Sequence, residues 1–202
     1  MGEKDGKTTA FQKYIAEKHT IYNLESSNSM RRIELAAALD KLFTEYGYEY
    51  YFNEEVFSFV LTTSLPVADD AIKFTSTYLV SPPYIIVSVC PKTERLSRFT
   101  NVEAARETVK EFQDVLRVGS FTVSDLGELV FCAYTDWYGG SEDVPGGEGS
   151  PADLFLHYLL KLPMYIWVMH LNTVLLASEG SVDVVTAKQQ IRETQEKYNF
   201  DF

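Results

Sequence analysis

Residues 100–135 read TNVEAARETVKEFQDVLRVGSFTVSDLGELVFCAYT, and in this stretch a helix cap, an apolar stripe, a stop and a hairpin follow one another. Asn101 or Thr100 supplies the cap, because a short side-chain oxygen accepts from the free N–H groups of a first helical turn. Val102, Ala105, Val109, Phe112 and Leu116 then fall on one face at helical spacing, and Gly119 ends the run. Residues 120–123 alternate, Ser124-Asp125-Leu126-Gly127-Glu128 supplies turn residues, and residues 129–135 form a second apolar run of strand length. A helix followed by a hairpin needs a larger sheet to complete its core.

The rest of the sheet is expected upstream. A helix is expected over residues 29–46, capped by Asn28 or Ser29, with Leu35, Leu39, Leu42, Phe43 and Tyr46 as its stripe and Gly47 as its stop. Residues 48–52 and 56–63 are dense in aromatic and β-branched side chains, with Asn53-Glu54-Glu55 as the turn between them. Phe57, Phe59 and Leu61 make a more apolar face than Ser58, Val60 and Thr62, as in a sheet covered on one side. A loop over 66–70, a strand over 72–80, a turn at Ser81-Pro82-Pro83 and a strand over 84–90 complete the series. The expected class is α+β, an antiparallel β-sheet of about five to six strands packed against helices in the order α-β-β-β-α-β-β-α.

The flanks differ from this middle. Residues 1–28 form an N-terminal arm in which Phe11, Tyr14 and Ile15 suit a short peripheral helix or a partly disordered segment. Residues 29–180 form a single domain, and residues 181–202 a charged C-terminal helix. Residues 139–149 form a glycine-rich acidic loop, and Ser150, Pro151 and Asp153 then restart a helix. Residues 154–177 are long and apolar enough for a membrane span, but His157, Lys161, His170 and Asn172 interrupt them and Pro163 kinks or breaks them. A buried helix against the sheet, or against another subunit, is the expectation.

Charge and motifs exclude several chemistries. Lys+Arg 18 against Asp+Glu 29 gives a net charge of −11, which repels phosphate backbones and anionic lipid, so neither nucleic acid nor membrane is an expected partner. Cys90 and Cys132 lie in apolar runs without metal-ligand spacing and read as small buried hydrophobes. The charged N-terminal residues suit a cytoplasmic protein. No phosphate-binding loop, nucleophile elbow or metal-binding histidine pair occurs, so no catalytic, cofactor or metal residue is assigned. His157 and His170, thirteen positions apart, do not share one side of a regular helix. Glu103, Glu107, Glu111 and Asp114 alternate with Arg106 and Lys110 as on a solvated helix face. Trp137 and Tyr138, where a strand gives way to the glycine-rich loop, are the candidate partner-binding residues.

The order of elements and the run Leu116-Arg117-Val118-Gly119-Ser120-Phe121-Thr122-Val123-Ser124-Asp125-Leu126-Gly127-Glu128-Leu129-Val130 resemble the YbjN-like family of bacterial sensory transduction regulators. In that family a helix runs into a small residue and a Gly-x-Phe strand, then an acidic glycine turn and the returning strand. The resemblance covers most of residues 30–178. It implies a fold like that of class I type III secretion chaperones, which are acidic, dimeric and non-enzymatic and hold extended client segments on their sheets. The N-terminal arm, the terminal helix and the loop over 139–149 depart from that pattern.

The expected function is a non-catalytic protein-binding or regulatory module, chaperone-like, in bacterial signalling or stress regulation. Its partner is a protein, its expected assembly a homodimer, and it needs no cofactor. The alternative is an enzyme or small-ligand-binding protein whose site is assembled from residues distant in sequence.

Overall fold

A computed structural model describes residues 8–18, 27–67, 70–92, 99–116, 118–136 and 151–198. The chain begins with α1 (Ala10–Lys18) and α2 (Ser27–Glu45), then runs through β1 (Tyr50–Asn53), β2 (Ser58–Val67), β3 (Asp70–Ser81) and β4 (Tyr84–Pro91). α3 (Val102–Val109) passes directly into a 3-10 turn at Lys110–Val115, and β5 (Ser120–Val123) and β6 (Leu129–Thr135) follow. α4 (Pro151–Leu156), a π turn at His157–Lys161, α5 (Leu162–Ser178) and α6 (Val184–Tyr198) complete the described chain. The strands form one antiparallel sheet in the order β1-β2-β3-β4-β6-β5, so the class is α+β. Four strands precede α3, one more than the three in the expected order of elements, and the stretches read at 48–52 and 56–63 are the β1 and β2 that pair through residues 50–53 and 58–61. The expected loop over 66–70 is shorter, since Pro66 pairs with Ala71 and Val67 with Asp70.

Alternation along the strands decides which side is covered. Phe59, Leu61, Phe74, Tyr78, Val80, Ile85, Val87 and Phe131 are at most 1% exposed, whereas Tyr51 and Tyr134 on the opposite face are 65% and 70% exposed. The helices supply the other half of the core through Leu35, Leu39 and Phe43 of α2, Ala105 of α3, and Phe155, Ile166 and Trp167 of α4 and α5. Leu35, Leu39, Leu42 and Phe43 of the expected stripe are therefore buried, whereas Tyr46 lies past the end of α2 and is exposed. Asn101 caps α3 as expected, accepting from the Ala104 N–H at 3.0 Å. Gly119 has φ +79°, and a Cβ there would lie 2.5 Å from the Phe131 ring, so the hairpin that closes the sheet requires glycine.

Pro163 neither splits the long apolar helix nor bends it unaided. Its ring crowds the carbonyl of Leu159, four residues earlier, and it has no N–H to give. The π turn absorbs the mismatch: Leu162 N–H bonds the His157 carbonyl, and the Tyr78 hydroxyl donates to the Leu159 carbonyl at 3.4 Å. Residues 151–178 have the length and composition of a membrane span, but Leu156, Leu159, Leu160, Ile166 and Val174 are all buried within the fold.

The segment expected as a peripheral arm contributes to the core. In α1, Phe11 and Tyr14 are 4% and 7% exposed and meet Phe52 at ring-centroid distances of 5.3 Å each. Thr9 and Gln12 form a capping box, each side chain accepting from the other's backbone N–H at 3.1 Å. Gln12 also donates from Nε2 to Asp40 of α2 at 3.5 Å, tying the two helices.

Candidate functional site

The two edges of the sheet are treated differently. Phe121 and Val123 lie two apart in β5, so their carbonyls project to the same side of the strand. Gln113 Nε2 donates to the Phe121 carbonyl at 2.9 Å, and Arg106 Nε to the Val123 carbonyl at 3.0 Å. Helix side chains thus take up acceptors that a further strand would use. Arg106 also pairs with Glu103 at 2.8 Å, which fixes its guanidinium there.

At the opposite end β1 has a strand neighbour on one side only among the described residues. Along it runs an open groove of about 600 Å³. One wall is α1, through Ala10, Lys13, Tyr14 and Glu17. The other is Tyr51, Phe52 and Asn53 of β1, with Glu54 and Glu55 of the turn at its end. Successive residues of a strand face opposite sides, so a groove touching 51, 52 and 53 together faces the strand's backbone edge and not either surface of the sheet.

Local chemistry holds these walls in place. Asn53 Oδ1 accepts from the backbone N–H groups of Glu55 at 3.1 Å and Val56 at 3.4 Å, which sets the turn that presents Glu54 and Glu55. Phe57 closes that turn at φ +58°, an unfavourable conformation for a bulky residue. It is held there by the Val80 N–H on its carbonyl at 3.0 Å and by its ring packing against Phe52, Tyr14 and Arg32. Beneath the other end, the Tyr50 hydroxyl donates to Asp40, and burial together with that carboxylate pushes the phenol pKa well above its ordinary value.

The groove is acidic. Its lining carries Glu17, Glu54 and Glu55 against Lys13, and none of the three carboxylates has an ion-pair partner among the described residues. The carboxylates expected on a solvated face of α3 differ in this respect. Glu107 pairs with Lys110, and Glu111, with its side chain only 9% exposed, lies under α6 and accepts from Arg192 at 2.7 and 3.1 Å. The Arg192 guanidinium holds the Glu111 carboxyl below the usual carboxylate range. Glu111 is therefore a buried tie between helices and not part of a solvated face.

The remaining sequence candidates do not converge. Trp137 and Tyr138 lie outside the described residues. His170 is 1% exposed, stacked on Phe112, and its Nε2 has no hydrogen-bond partner among the described residues; burial lowers its pKa to about 4. In His157, burial likewise lowers the pKa. Cys90 and Cys132 are half-buried on the outer face of the sheet and not in the helix-side core, and burial raises both thiol pKa values. Among the described residues no three His, Cys, Asp or Glu side chains gather as metal ligands.

The residues that line the β1 groove were visible in the sequence as a short helix, a turn and a run of aromatics, and not as one surface. One signal pointed towards it: Thr9-x-x-Gln12 is a capping box that opens the helix of Phe11 and Tyr14, which marks a formed helix with an apolar face to bury. No protein-family model matches the chain, and neither a curated protein nor a solved structure shows significant similarity to it.

Proposed function

We propose that the chain is a non-catalytic protein-binding module that takes an extended segment of a partner protein as an added strand on the edge of β1 that has no strand neighbour among the described residues. The observation that carries this reading is the contrast between the edges. Acceptors of β5 are taken by Arg106 and Gln113, while β1 borders an open groove. Strand addition needs unpaired backbone groups for affinity and neighbouring side chains for selectivity, and the groove brings both together. Four residues of β1 offer about 13 Å of edge at ~3.3 Å per residue, room for a short segment and not a domain. The resemblance to the YbjN-like family, with its chaperone-like fold, agrees with a regulatory role of this kind in the cytoplasm.

A photo-crosslinking amino acid placed at position 51, 122 or 134 tests the reading in a lysate of the source cell. Position 51 reports on the β1 edge, 122 on β5 and 134 on the outer face. The expected result is a specific protein adduct from position 51 alone. Adducts from 134 without any from 51 would place the partner on the sheet face instead.

A further inference from the structure

We infer that the segment taken at this edge is basic: an extended stretch carrying lysine or arginine at alternate positions. The inference rests on the strand-addition reading and adds the chemistry of its ligand. Along α3 and the turn that follows it, clustered carboxylates are neutralised within the chain, Glu103 by Arg106, Glu107 by Lys110 and Glu111 by Arg192. In the groove three glutamates face one lysine, and no described cation pairs with any of the three.

Their placement suits a strand. Glu54 and Glu55 stand at the end of the groove, held by the Asn53 turn, while Glu17 stands on the α1 wall. An incoming strand sends alternate side chains to opposite sides, so one set meets α1 and the other passes Tyr51, which is 65% exposed. Basic side chains in the first set meet the carboxylates, and the apolar side chains between them pack against the tyrosine ring. An acidic segment would bring like charges into a groove already short of cations, and the net charge of −11 repels it at longer range as well.

Calorimetric titration of the full chain tests this with an acetylated hexapeptide alternating valine and lysine, beside the same peptide with glutamine or glutamate in place of lysine. The lysine peptide is expected to bind at least about tenfold tighter than the glutamine peptide, and the glutamate peptide not to bind. Affinity for the lysine peptide falls between about 50 mM and about 500 mM salt. The double variant Glu54→Gln, Glu55→Gln, at exposed turn positions, keeps its circular dichroism spectrum and weakens the lysine peptide about tenfold while leaving the glutamine peptide unchanged. Equal binding of all three peptides would overturn the charge inference and leave strand addition standing. Binding of none would overturn both. Lysine-peptide binding that the double variant leaves unaltered would overturn the inference by moving the contact to other carboxylates of the chain.

Discussion

Arg106 donates from Nε to the Val123 carbonyl at 3.0 Å, a contact between a helix side chain and the outer strand of the sheet seventeen residues later. With Gln113 on the Phe121 carbonyl it takes up acceptors on an edge that β5 otherwise exposes. Unprotected edges recruit other strands, including those of identical chains. The double variant Arg106→Ala, Gln113→Ala is expected to self-associate through β5, with light scattering rising at lower temperature than for wild type. The lost Gln113 bond alone costs about 1 kcal/mol. Unchanged scattering would mean that the two side chains do not guard the edge.

His170 makes stability depend on pH. Its pKa is 6.5 in the unfolded chain and about 4 when folded, because burial disfavours the imidazolium. Between those values the unfolded chain binds a proton that the folded chain refuses, so stability falls as pH drops from 6.5 towards 4 and the loss levels off below. The full effect is on the order of 3 kcal/mol. Replacing the ring by His170→Leu keeps an apolar side chain against Phe112 and is expected to flatten this part of the profile in denaturant titrations between about pH 4 and pH 7. A variant with the wild-type slope would place the proton uptake elsewhere.

Arg192 acts in the opposite pH range. Its hydrogen bonds depress the folded pKa of Glu111, so the pair stabilises the chain above the ordinary carboxylate pKa of 4.5 and ceases to do so as pH falls through the depressed value. Because the Arg192 side chain is 60% exposed, Arg192→Ala is expected to cost only about 1 kcal/mol at neutral pH. Melting temperatures of variant and wild type should converge in acid. A difference that persists at the lowest pH would assign the loss to packing of α6 and not to charge.

Much of the fold was legible because periodicity reports burial directly. Leu35, Leu39 and Phe43, or Phe59 and Leu61, show their buried face by spacing alone. Where long-range packing overrides spacing, the reading failed. The helical run expected to continue to Leu116 tightens at Lys110 into a 3-10 turn, and Phe112 there packs on Phe121 of β5 and His170 of α5. Glu111 read as exposed because its partner Arg192 lies eighty-one residues away. The groove was hidden for the same reason: Phe11 and Tyr14 announce an apolar face, but nothing local says that Phe52 and Phe57 receive it.

The most direct measurement is amide hydrogen exchange of the full chain, alone and saturated with the valine–lysine hexapeptide. In an antiparallel edge strand only alternate amides point outward. Strand addition therefore predicts slowed exchange at alternate residues of β1, with β5 unchanged because Arg106 and Gln113 already guard it. Protection spread over β4 and β6, or none within residues 50–53, would contradict binding at the β1 edge.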